Sequence, residues 1–85
     1  MITIKIFGTT PPCANCIRAE KQARIAAENI SEEIEVLKLD AMSEEAEQYG
    51  ILSTPLIVID EKVVSTGKVL PAARIETIIS EIIGG

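Results

Sequence analysis

The sequence predicts an α/β domain of order βαβαββα, with one four-stranded mixed sheet and helices on both faces. Three observations lead there. Short β-branched runs alternate with longer stretches of helical periodicity, the pattern of a βαβ unit. Two strand-like runs, "PLIVID" (55–60) and "KVVST" (62–66), stand one residue apart, so they pair as an antiparallel hairpin. The C-terminal segment then returns to helical spacing and supplies a covering helix. At 85 residues the chain is read as a single domain, residues 1–85.

Each element has a local reason. "ITIKIF" (2–7) alternates β-branched residues with others and reads as a strand. Gly8 to Pro12 reads as a loop, because Gly, Thr and Pro interrupt regular structure. Residues 14–29 are rich in helix formers. There Cys16, Ala19, Ala23, Ala26, Ala27 and Ile30 fall on one stripe. Most of these side chains are small, so the helix can lie close against a sheet. "EIEVLKL" (33–39) is a second strand. Ser43 caps a short acidic helix running to Tyr49, and Gly50 stops it. After the hairpin, Gly67 breaks the fourth strand and Pro71 suits the first helical position. Ala72, Ile75, Ile78, Ile79, Ile82 and Ile83 form the apolar face of the last helix, which Gly84 ends.

Composition narrows the function. Hydrophobic residues make up 47% of the chain, enough for a core without stapling metals. Phe7 and Tyr49 are the only aromatics, so that core is aliphatic and offers no row of stacking rings to single-stranded nucleic acid. A net charge of −5 repels phosphate backbones. No apolar run reaches the ~20 residues needed to span a bilayer. "MITIKIF" lacks the charged-then-apolar build of a signal peptide. The expectation is a soluble cytoplasmic monomer with neither nucleic acid nor membrane as partner. In a reducing compartment two cysteines point to metal or redox chemistry rather than a permanent staple.

Both cysteines lie in "TTPPCANC" (9–16). With a helix starting near Cys13, positions three apart share one helix face, so Cys13 and Cys16 can reach disulfide distance. Cys16 continues the buried stripe. Cys13 stands at the helix start, towards solvent. The unpaired amides of a helix start favour a thiolate over a thiol. A free thiol titrates near ~8.5, and CxxC sites lower this to ~7 or below. The helix terminus supplies about one unit of that change. Direct hydrogen bonds from the Ala14 to Cys16 amides are candidates for the rest. Pro12 has no N–H and restricts the approach to the helix. Asn15 orients the loop or caps locally. Arg18 lies about 140° around the helix from Cys13 and reads as a solvated charge or a partner contact.

"PPCANC" after the first strand, "STP" (53–55) opening the third and "STGK" (65–68) closing the fourth together resemble the thioredoxin/glutaredoxin superfamily, in particular its small archaeal-type members. The resemblance covers essentially the whole chain and implies a thioredoxin-like fold. It implies that Cys13 is the attacking cysteine and Cys16 the resolving one. It further implies a cis peptide bond before Pro55, a substrate-pairing backbone at Thr54, and room for a partner's backbone at Gly67. The implied activity is reduction of protein disulfides, with electrons from a separate thioredoxin-reductase-type donor and no cofactor for the exchange itself. Three departures stand out. Pro12 replaces the usual Trp, Ala14-Asn15 replaces Gly-Pro, and the buried acid that typical members carry on the strand entering the motif has no counterpart in "ITIKIF", where Lys5 is the only ionisable group. "VLPAAR" (69–74) lacks the acidic groups through which glutaredoxins hold glutathione.

Bland readings compete at several positions. Zinc needs four ligands, and this chain has two cysteines and no histidine. A metal or iron–sulfur carrier would therefore share the two cysteines across a dimer. Pro55 alone could be a strand-start proline. Tyr49 reads as a core or helix-end anchor. Glu44–Glu47 reads as a solvated face.

Overall fold

The computed structural model describes residues 2–9, 14–50 and 54–84. Its elements are β1 (Ile2–Gly8), α1 (Ala14–Asn29), β2 (Ile34–Asp40), α2 (Glu44–Glu47), β3 (Leu56–Ile59), β4 (Lys62–Thr66) and α3 (Ala72–Gly84). The sheet runs in the order β2-β1-β3-β4. β1 and β2 are parallel, from Ile2 opposite Ile34 to Gly8 opposite Asp40. β3 is antiparallel to both β1 and β4, with an irregularity between Ile57 and Val58. The predicted order and mixed sheet are those observed.

Strand alternation sends side chains to two faces, and two cores follow. Ile4, Ile6, Ile57 and Ile59 meet Ala19, Ala23 and Ala26 of α1 and Ile75 and Ile79 of α3. Each fully buried isoleucine contributes roughly 1.5–3 kcal/mol. On the other face, Phe7, Leu56 and Val58 meet Ala46 of α2, with Leu39 and Tyr49 packed at the margin. None of the helices among the described residues is long and apolar enough to cross a membrane.

Several boundaries differ from the sequence reading. Gly8 ends β1 instead of opening the loop. β3 is shorter than 55–60. Pro55 precedes it, and Asp60 and Glu61 form the hairpin turn with φ of 51° and 67°. Two consecutive left-handed residues give the twist that joins tightly paired strands. α2 is a single turn, capped as expected by Ser43, whose hydroxyl accepts the Ala46 N–H at 3.4 Å. Its backbone continues in turns as far as Gly50. Ile83 was expected on the apolar face of α3 and is 47% exposed. At ~100° per residue it sits about 80° from Ile75, beyond the buried stripe.

Pro71 stands one place before the first residue of α3, and its carbonyl accepts from the Arg74 and Ile75 amides. The Ala72 N–H, which no helical carbonyl can satisfy, donates instead to Gln22 Oε1 of α1 at 2.8 Å. Gln22→Ala is expected to lower stability by ~1 kcal/mol. Gln22→Glu, which keeps the acceptor, should retain it. Urea midpoints of the three proteins measure both.

Candidate redox site

The site is built where β1 ends. The Gly8 carbonyl accepts the Ala41 N–H at 2.9 Å, which ties the exit of β2 to the exit of β1. On the other side of the chain, α1 starts at Ala14 and buries Cys16 completely in its first turn. A Cβ placed on Gly8 would lie 2.9 Å from Cys16 Sγ and 3.0 Å from Cys16 Cβ. Those distances are below van der Waals contact, so the missing side chain of Gly8 is the seat of the Cys16 sulfur. Ala14 and Asn15 are exposed in the same turn. Pro12 and Cys13 lie outside the described residues, as does Ser53.

β3 brings the second part of the site to the same end of the sheet, since Leu56 pairs with Phe7, next to Gly8. The Thr54–Pro55 peptide bond is cis, as the resemblance implied. Pro55 is buried and Thr54 half-buried. The Gly67 N–H donates to the Pro55 carbonyl at 2.9 Å, and Gly67 adopts φ 73°, a conformation that favours glycine. Thr54, Pro55 and Gly67 thus converge at one point, and Lys68 remains exposed. Among the described residues, no group of three or more His, Cys, Asp or Glu could hold a metal ion.

Lys5 takes no part in this end of the molecule. It alternates with Ile4 and Ile6, so its side chain leaves the sheet on the face opposite α1. Its ammonium lies 3.3 Å from a Glu45 carboxylate oxygen and 3.5 Å from the Tyr49 hydroxyl, 5.7 Å from the centre of that ring. Tyr49 in turn packs on Phe7 with ring centroids 5.6 Å apart, the anchoring role expected of it. Glu45 therefore does more than solvate α2. Its hydrogen bond, then that of Tyr49, raises the Lys5 pKa above the ordinary 10.5. A raised folded-state value stabilises the fold below the ordinary lysine range and ceases to do so as pH climbs through the raised value. Urea midpoints should therefore fall less at high alkaline pH in Lys5→Met than in the parent.

Comparison with known proteins agrees with this geometry. A family model described as a thioredoxin domain matches residues 2–80. The chain belongs to the thioredoxin family. A thioredoxin of Methanothermobacter thermautotrophicus is 32% identical over 80 residues, spanning 94% of this chain and 100% of that protein. The solved structure of a chloroplastic thioredoxin z superposes with a TM-score of 0.80 at 27% identity, covering 100% of this chain and 80% of that one. A thioredoxin-2 of a malaria parasite shares the fold, with a TM-score of 0.74 at 15% identity, over 95% of this chain and 82% of the other. The chain is a redox protein of the thioredoxin type. Sequence reasoning missed one residue of the site, Gly8. The available signal was a glycine at the end of a β-branched strand, which often marks a close approach by another part of the chain.

Proposed function

We propose that this thioredoxin-family chain is a thiol–disulfide oxidoreductase that reduces protein disulfides, working as a cytoplasmic monomer. The Cys13 thiolate attacks one sulfur of a partner's disulfide and expels the other as a thiolate, leaving a mixed disulfide. The Cys16 thiol then loses its proton and attacks Cys13 Sγ. This releases the partner's second sulfur and closes the Cys13–Cys16 disulfide. Two electrons and two protons pass to the partner. A separate thioredoxin-reductase-type donor returns them to the chain, and the exchange itself needs no cofactor.

The observation that carries this reading is the fully buried Cys16 sulfur, seated against Gly8 in the first turn of α1. A resolving thiol has to be shielded from solvent and other oxidants yet lie one helical turn from the attacking one. Thr54 pairs with the partner's extended backbone. Pro55 floors the groove, and Gly67 leaves it open. In this reading Pro12, Ala14 and Asn15 support the cysteine motif.

A redox titration with mass-tagging of each thiol tests the reading. The expected result is one reversible two-electron transition, with Cys13 labelled first near neutral pH. Predominant labelling of Cys16 would overturn the assignment of roles. A stoichiometric metal ion or iron–sulfur cluster shared by two purified chains would overturn the activity.

A further inference from the structure

The outer face of α1 lies opposite its buried seam of Cys16, Ala19, Ala23 and Ala26. Arg18, Lys21 and Ile25 fall within about 60° of one another there, and Ile17 stands about 40° to one side. Ile17 is 53% exposed although it directly follows the buried cysteine. A groove of about 390 Å³ runs along this face, lined by Ile17, Glu20, Lys21, Arg24, Ile25 and Glu28. Arg24 of the same groove is engaged by Glu20, with hydrogen bonds of 3.0 and 2.8 Å. Arg18 and Lys21 form no ion pair with any of the described residues. α1 carries three basic and two acidic residues in a chain whose net charge is −5. α1 is thus the net-basic helix of a chain that is net acidic elsewhere, and Ile17 opens the strip directly after Cys16.

We infer that this strip docks an acidic segment bearing an apolar side chain, on the partner protein that presents its disulfide to the cysteines. The inference rests on the exchange reading above. Carboxylates of the partner would meet Arg18 and Lys21, and its apolar side chain would cover Ile17 and Ile25. Outside α1 the chain carries eleven acidic and five basic residues, and that balance repels such a partner on the whole. It therefore approaches with its acidic segment turned to the start of α1, which brings its disulfide to the reactive end.

Two disulfide-bridged peptides of matched sequence test the docking. One flanks the bridge with Glu and Leu, the other with Lys and Leu. Their reduction by the pre-reduced chain is followed in low salt and in roughly 0.5 M salt, which screens exposed charges beyond a few ångströms. Arg18→Glu with Lys21→Glu should slow the acidic peptide roughly tenfold and speed the basic one, a reversal that a misfolded protein could not produce. The difference should largely vanish in high salt. Lys62→Glu with Arg74→Glu changes net charge equally, away from the strip, and should have much the smaller effect. An equal effect of the two double variants, or none from the first, would overturn the docking. So would salt-sensitive self-association abolished by Arg18→Glu with Lys21→Glu, which would assign the strip to a second copy of the chain. Reduction of neither peptide would instead sink the exchange reading. The docking is then decided by fluorescence anisotropy of a cysteine-free version of the acidic peptide, under the same comparison of variants.

Discussion

Gly8→Ala lowers stability by about 1–3 kcal/mol and impairs disulfide exchange, the usual cost of forcing an extra methyl into a packed site. The added methyl would stand 2.9 Å from Cys16 Sγ, and neither neighbour can yield easily. Gly8 is fixed in β1 by its pairing with Asp40 and by the Ala41 N–H on its carbonyl. Cys16 is fixed by an α-helix whose next three inward positions are buried alanines. The strain must move the start of α1, and with it whatever the cysteines do. A double-mutant cycle with Cys16→Ala isolates the contact. Removing the sulfur should recover part of the loss, giving a coupling of roughly 0.5–3 kcal/mol. Urea unfolding of the four proteins supplies the numbers, and zero coupling would show that the Gly8 seat does not matter.

Cys16→Ala is expected to leave the first half of the exchange intact and block the second. A covalent complex with a disulfide-bearing protein then accumulates, and steady-state turnover falls about a hundredfold. Non-reducing gels and rapid-quench kinetics read the two quantities. Cys16→Ser should trap the same complex. Undiminished turnover in Cys16→Ala would remove the resolving role.

Features that depend on local pattern were legible in the sequence. The α1 stripe is an example. Cys16, Ala19, Ala23 and Ala26 are buried as their spacing requires, and Ala27 and Ile30 lie at its margin. The Ser43 cap and the β3–β4 hairpin likewise follow from neighbours in the chain. What the sequence hid depends on register between distant segments. Gln22 meets Ala72 across 50 positions, and Lys5 meets Glu45 only because β1 lies beneath α2. No periodicity encodes either pairing. The loss of Pro55 and Asp60 from β3 has a different cause. An apolar run shows where a strand can form, whereas a proline without an N–H at one end and the left-handed turn at the other decide where pairing stops.

The two sides of the sheet are unequally guarded. Among the described residues, one is held by ten buried side chains, five of them on two long helices, the other by four, one of them on a single helical turn, with the Lys5–Glu45 pair alongside. Lifting that single turn therefore requires much less energy than parting the long helices. Thermal fluctuation will open the thin side first and bare the Phe7 ring while the thick side stays shut. The sulfur of Cys16 belongs to the thick side, so a transient breach of the fold leaves it covered.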